Sequence, residues 1–263
     1  MIYTSHGFYF HEGSGRKSWV LYYSIEKFMS LFSDAIITIN EEDFKNAKKM
    51  FCKKVYHING VGFDASKYRD VIVNKNEYRQ VLGVPPDALM ILAVGELSDR
   101  KNHQVIIKAM AKANIPNSVF AICGKAIQGE GTYDKLVNLA NEHGVNIAFL
   151  GHRHDIPQVC HCADIGVLPS TREGLGIASL EMMASGLPLV TSNVHGIKDY
   201  MTDGVTGYMV SPYDVDGFAE ALKKLSDSEV REKMRPNCIK VVENFDNSVS
   251  NKQMSDIYHE VLG

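Results

Sequence analysis

Basic charge is not in surplus: 28 lysines and arginines stand against 31 aspartates and glutamates, a formal net charge of −3. Without a global positive field, nucleic acid is not an expected partner, and any anionic ligand has to be held by local groups. Long apolar runs are missing as well. A stretch such as LMILAV (89–94) is far short of the roughly 20 residues that span a bilayer. An integral helix is therefore not expected, and peripheral contact with the inner face of a membrane stays open. Cysteine is scarce: Cys52, Cys123, Cys160, Cys162 and Cys238 form an odd set without framework spacing. No secretory leader is expected, so these read as reduced thiols in a cytoplasmic protein. Low-complexity tracts and fixed-period repeats are absent too.

What is present is a chain of 263 residues, 45% hydrophobic, enough for one large core or one full domain and part of a second. Short runs rich in Val, Ile and Leu alternate with helical patterns. Strands are expected at 88–96, 118–124, 146–151, 164–170 and 188–193. Helices are expected at 102–113, 132–144 (closed by Gly144), 155–163, 176–185 (ended by Gly186) and 216–227, the last capped by Asp214 or Asp216. Such alternation predicts an α/β fold: a Rossmann-like parallel sheet with helices on both faces, its ligand beyond the carboxyl ends of the strands. Loops 95–102, 124–131, 151–155 and 170–176 should gather there. The first 58 residues read as strand, glycine loop, amphipathic helix (18–33), strand, helix and strand. That is too little for a closed core, and Tyr3, Phe8, Tyr9, Phe10, Trp19, Tyr22 and Tyr23 load it with aromatics.

The stretch STREGLGIASLEMMASG (170–186) sets Glu173 and Glu181 eight positions apart around a glycine-rich turn. Gly174 and Gly176 allow close backbone approach, and a helix beginning near Gly176 adds about half a positive charge at its N-terminus. The amides of Leu175, Gly176 and Ile177 suit a diphosphate. One carboxylate would then grip ribose hydroxyls and the other a sugar. The plain competing explanation makes Glu173 a dipole-favouring acid and Glu181 part of a solvated helix face.

The surrounding residues resemble the family-4 retaining glycosyltransferases of the GT-B fold, of the bacterial capsule or exopolysaccharide type. The matching stretches are HGFYF (6–10), DAIITINEEDFKNAKK (34–49), INGVGFDASKY (58–68), VGELSDRKNH (94–103) and the block 149–210. The resemblance spans essentially the whole chain. It implies that Glu173 contacts sugar hydroxyls near the anomeric centre, Glu181 holds the ribose, and Leu175, Gly176 and Ile177 meet the phosphates. Lys101 would sit on the diphosphate, His152 and Arg153 near the base, and His6 over the donor sugar from the opposite domain. No metal or other cofactor is implied; the donor is a nucleoside diphosphate sugar. The acceptor would be a saccharide or a lipid-linked saccharide.

Two departures stand out. After Gly95, at the end of the first strand of the donor domain, the family often carries arginine; here the residue is Glu96, and Arg100 beside Lys101 is a substitute cation only if neighbouring side chains turn the same way. The resemblance also places residues 1–58 as the remnant of an N-terminal, acceptor-side domain, 59–245 as the nucleotide-sugar domain, and 246–263 as a helix crossing back to the remnant. Most of the acceptor half would then be missing, and a partner chain could supply it.

Other tempting residues have plain explanations. His152, His154, Cys160, His161 and Cys162 lack the C-x2-C or H-x3-H spacing of a zinc site, so the thiols read as buried and metal binding is not expected. DVD (214–216) reads as a helix cap rather than a metal signature. His195 could reach the ligand or make a local hydrogen bond. The lysines at 45, 48, 49, 53 and 54 suit a solvated face, with anionic lipid as the weaker alternative. Three functions follow in order: glycosyl transfer; a non-catalytic donor-binding half needing a partner chain; and sugar-nucleotide epimerisation.

Overall fold

The structure, a computed structural model, describes residues 1–127 and 131–263. Part of the expected 124–131 loop therefore lies outside the described residues. The elements in chain order begin with β1 (Ile2–Ser5), α1 (Arg16–Met29), β2 (Ala35–Thr38), α2 (Glu41–Ala47) and β3 (Val55–His57). They continue with α3 (Ser66–Arg69), α4 (Lys75–Val81), β4 (Leu89–Val94), α5 (His103–Ala113), β5 (Ser118–Cys123), α6 (Thr132–His143), β6 (Ile147–Gly151), α7 (Ile156–Cys162) and β7 (Ile165–Leu168). The remainder is α8 (Ile177–Ala184), β8 (Leu189–Ser192), β9 (Gly207–Val210), α9 (Val215–Leu225), α10 (Ser228–Val242) and α11 (Asn247–Leu262).

Among the described residues the strands form two parallel sheets, ordered β1-β2-β3 and β6-β5-β4-β7-β8-β9. The apolar runs explain the larger one. Met90, Ile91, Leu92 and Ala93 of β4 are buried on both faces, as a central parallel strand requires. The chain lays down β4, β5 and β6 toward one edge, then returns to build β7, β8 and β9 toward the other. The reversal lies between β4 and β7, so the loops that follow these two strands leave the sheet side by side. Parallel sheets bind their ligands at such a switch point.

The caps are where sequence chemistry puts them. Asn40 accepts from the Asp43 amide at α2, and Asp214 from Gly217 N (2.9 Å) at α9. Asp214, rather than Asp216, is thus the cap; Asp216 pairs with Lys112. Gly144 ends α6 in the left-handed region at φ 65°. The structure adds β9, α4 and α10, which the alternating pattern leaves unassigned. In α10 a proline (Pro236) sits inside the helix, against the usual rule that proline ends one.

The two sheets are joined by packing as well as by the chain. Ile37, Ile39 and Ile58 lie in the same buried cluster as residues around the larger sheet. Helix α11 returns to the smaller sheet: Tyr56 Oη donates to Glu260 (2.6 Å), Lys54 Nζ to the Glu260 carbonyl (3.1 Å), and Asn59 N to Gln253 Oε1 (2.8 Å). Phe8 and Phe10 are buried, with Trp19 and Tyr23 packed on Phe10. No residue of α1 is buried, and Leu21, Ile25, Phe28 and Phe32 face outward.

Candidate functional site

The loop after β4 closes with a 3-10 turn at Asp99–Lys101, and Asn102 follows in the left-handed region at φ 53°. The Asn102 amide reaches the carbonyls of Pro169 (3.1 Å) and Pro212 (2.7 Å), while Thr171 N donates to the Arg100 carbonyl at 2.9 Å. These bonds clamp the 95–102 loop against the loops that follow β7 and β9. The tight turn also brings Arg100 and Lys101 to one target. Lys101 Nζ lies 2.7 Å, and Arg100 Nη1 3.2 Å, from the same Oε1 of Glu173. Adjacent residues therefore do turn the same way here. Gly95, at φ 148°, makes room for Lys101: a Cβ there would sit 3.1 Å from Lys101 Cε. Glu96, the acid in place of the family's arginine, holds Arg100 Nη2 at 3.0 Å. Its charge is balanced by Arg100, and its carboxyl titrates below the ordinary range despite partial burial.

Glu173 is 9% exposed. It is not a solvated, dipole-favouring acid but the centre of a buried ion-pair cluster. It lines a cavity of about 200 Å³ with His6, Arg100, Arg172, Gly174 and His195. His6 comes from the loop after β1, so both sheets contribute to this cavity. The glycines of the region answer chiefly to that junction. A Cβ on Gly174 would fall 2.0 Å from the His6 carbonyl oxygen, and one on Gly196 2.0 Å from the Gly174 carbonyl oxygen. The Gly174 carbonyl also accepts from Asn40 Nδ2 at 3.0 Å. Close backbone approach at Gly174 thus serves packing between segments of the protein itself. Gly176 is different: it caps α8 at φ 79°, a conformation suited to glycine.

Among the described residues, the first amides of α8 are left unpaired by the protein itself. The amides of Leu175, Gly176 and Ile177 meet no acceptor among the described residues, as unpaired donors at a helix start do when water or an anion satisfies them. The Leu175 side chain is buried and Ile177 is partly exposed. Glu181 lies further along α8, outside the 200 Å³ cavity. Its Oε1 accepts from Tyr68 Oη at 2.5 Å, and burial pushes its carboxyl up while this bond opposes the shift. It too is not on a solvated face.

His152 and Arg153 line a separate cavity of about 620 Å³ with Lys67, His154, Asp155 and Gln158. Arg153 grips Asp155 through Nε (2.8 Å) and Nη2 (2.5 Å), and holds that carboxyl down at about 2. Cys160 and Cys162 are both fully buried, and no three His, Cys, Asp or Glu side chains come together as metal ligands among the described residues.

Three residues central to this geometry carried no role in the sequence reading: Arg172, Tyr68 and Asn102. Tyr68 and Asn102 act through contacts 113 and 67 residues away, which no local pattern shows. Among the described residues the His195 side chain makes no local hydrogen bond; its Nε2 lies 3.0 Å from Asp43 Oδ1 across the two sheets, both side chains fully buried.

Residues 74–242 match the family described as Glycosyl transferases group 1. EpsD of Bacillus subtilis (strain 168), named as a glycosyltransferase, is 31% identical over 98% of this chain and 69% of its own length. The UDP-Gal:alpha-D-GlcNAc-diphosphoundecaprenol alpha-1,3-galactosyltransferase of Escherichia coli is 30% identical over the whole of this chain and 69% of its own length. Among solved structures, Anabaena Alr3699/HepE in complex with UDP superposes with a TM-score of 0.87, at 22% identity over 98% of this chain and 72% of that one. WaaG, a glycosyltransferase involved in lipopolysaccharide biosynthesis, gives 0.77 at 22% identity over 97% and 74%. The fold is that of these GT-B proteins.

Proposed function

The chain belongs to the group 1 glycosyl transferases, and from that premise we propose that it moves a sugar from a nucleoside diphosphate sugar to a hydroxyl of a saccharide or lipid-linked saccharide, with retention of anomeric configuration, in cell-surface polysaccharide synthesis. The observation that carries this reading is the site at the β4/β7 switch point: a buried acid held by two cations beside a row of open helix amides. An activated sugar needs that combination. Its departing diphosphate gains negative charge, which Lys101, Arg100 and the amides at 175–177 neutralise without rearrangement. The diphosphate draws Lys101 away from Glu173, and the freed carboxylate accepts from sugar hydroxyls. Glu181, steadied by Tyr68, accepts from the ribose, while His152 and Arg153 flank the base. His6 closes over the sugar from the other sheet. The leaving phosphate oxygen takes the acceptor proton. Residues 59–245 form the donor side, 1–58 face the acceptor, and 246–263 tie the two together. The supporting names are those of relatives: one acts on a diphosphoundecaprenol-linked sugar, and one structural neighbour holds UDP.

Thermal stabilisation by a panel of nucleotide sugars tests the donor site. A true donor at a hundred times its dissociation constant adds about 2.7 kcal/mol, roughly 5–11 °C for a chain of this size. Glu181→Ala should abolish the shift; an unchanged shift refutes the ribose role. NMR of the product's anomeric proton checks retention. The outward apolar face of α1 favours a second reading, a donor-binding half that works only with a partner chain. Binding without transfer or hydrolysis by the chain alone would support it.

A further inference from the structure

Three cations line or adjoin the 200 Å³ cavity, and two of them are committed to acids: Lys101 to Glu173, and Arg100 to Glu173 and Glu96. Arg172 is the third. Among the described residues it has no ion pair and donates no side-chain hydrogen bond. Its guanidinium carbon instead lies 4.2 Å from the centre of the Tyr9 ring. Tyr9 is 57% exposed, and its ring is followed by Tyr22 at 5.1 Å. The charge thus sits at the wall of the sugar cavity, with an aromatic surface leading away from it.

The arrangement is anchored from both sides. The backbone of Arg172 is held by Arg100 Nη1, which donates to its carbonyl at 3.1 Å. The loop carrying Tyr9 is held by the buried Asp43, which accepts from Phe8 N at 3.1 Å and lies 3.0 Å from His195 Nε2. Glu12, the acid of that loop, pairs with Lys198 (2.8 Å) and is not available to Arg172. A guanidinium stacked on a ring keeps its N–H groups in the plane, aimed outward, where a carboxylate or phosphate can take two of them together. Tyr9 and Tyr22 are 57% and 41% exposed, which leaves ring surface for the C–H faces of a pyranose.

We propose that Arg172, Tyr9 and Tyr22 form the acceptor subsite, and that the acceptor is a saccharide bearing an oxyanion next to the reacting sugar. This rests on the glycosyl-transfer reading above and deepens it. The donor's diphosphate already has Lys101 and the amides of α8, so the uncommitted cation on the side of the smaller sheet is left for the second substrate. The oxyanion is either a sugar carboxylate or a diphosphate link, and both present the same fork to Arg172. Leu21 and Ile25 continue the exposed surface past Tyr22 along α1, where an apolar tail on such an acceptor would lie.

Calorimetric titration tests the subsite. The whole chain, saturated with the nucleoside diphosphate that stabilises it best, is titrated with ethyl glucoside, ethyl glucuronide and glucosyl ethyl diphosphate. At least one anionic probe should bind ten-fold or more tightly than ethyl glucoside, and which one does so identifies the source of the oxyanion. Arg172→Gln should erase that preference, Arg172→Lys should keep part of it, and Tyr9→Ala should weaken all three probes. Equal affinities in the wild type, no binding of any probe, or a preference that survives Arg172→Gln would overturn the subsite. So would an Arg172→Gln variant that loses nucleotide affinity by the same factor, since Arg172 would then belong to the donor. A wild-type chain that binds no nucleoside diphosphate overturns the glycosyl-transfer reading and the subsite with it, an outcome separate from all of these.

Discussion

Glu173→Gln removes one negative charge from between two cations, and the consequences differ from removing either cation. Glu173 and Lys101 side chains are 10% and 11% exposed, and their charged atoms lie 2.7 Å apart. Stranding a buried partner of such a pair costs roughly 3–5 kcal/mol. The glutamine oxygen still accepts one hydrogen bond, so the lower end applies, about 3 kcal/mol. At about 2–4 °C per kcal/mol for a chain of this size, the melting temperature should fall by roughly 6–12 °C. Lys101→Met is milder. Glu173 keeps Arg100 at 3.2 Å, so the loss is that of one charged hydrogen bond, roughly 1.5–3 kcal/mol at most. Combining the two should leave the protein more stable than Glu173→Gln alone, because the stranded lysine is gone. Contacting pairs show coupling well above the roughly 0.3–0.5 kcal/mol scatter of independent sites. A second signature concerns the ligand. A diphosphate supplies Lys101 with the counter-charge it lost, so its stabilising effect should be greater in Glu173→Gln than in the wild type, where it competes with Glu173. Scanning calorimetry of the four proteins, with and without nucleoside diphosphate, measures all of this. Additive losses together with equal ligand increments would refute the ion-pair account.

Asp155 is held near 2 in the folded protein against an ordinary 3.8 by Arg153. Its contribution is present above pH 3.8 and lost as pH falls through 2, so the melting-temperature gap between wild type and Arg153→Ala should close across that window in acid-melting curves. Gly174→Ala puts a methyl 2.0 Å from the His6 carbonyl oxygen. Overpacking of this kind costs about 1–3 kcal/mol, and because it parts the loops around the cavity, turnover should fall further than urea-melt stability alone predicts. Asp214→Ala should destabilise by about 1 kcal/mol through loss of the α9 cap. Its glycosyl-transfer rate and its response to added manganese should match the wild type; an altered manganese response would show that the aspartate is more than a cap.

The fold was legible because its signals are local. The apolar runs at 89–94 and 118–123, bounded by polar turns, read as buried parallel strands, and Gly144 is a cap by chemistry alone, while the structure decides between Asp214 and Asp216 in favour of Asp214. Helices α4 and α10 escaped for the same reason in reverse. KNEYRQV is short and polar, and Pro236 interrupts the pattern of α10. At the site, residue types were legible and partners were not. Nothing in RKNH says that Arg100 and Lys101 converge, because convergence depends on the left-handed Asn102 and on loop bonds to residues 169 and 171.

The glycines show most clearly where one-dimensional reading stops. A glycine before a helix that binds anions suggests room for a ligand, but at Gly176 the positive φ is what requires glycine, and a Cβ there would meet Leu168 Cδ2 at 2.9 Å and Tyr200 Oη at 3.0 Å. Gly174 sits two positions earlier in the same motif, and it faces the His6 carbonyl rather than an open cleft. The two sheets meet at the cavity where Gly174 and Gly196 lack side chains, since a Cβ on either would fall 2.0 Å from a carbonyl oxygen, and Gly7 beside them holds a left-handed φ of 132°. The motif therefore does two separate jobs. Its second glycine starts α8 in the left-handed region, and its first brings the histidine-bearing loop of one sheet against the acid of the other, which is what makes a single cavity out of two halves of the chain.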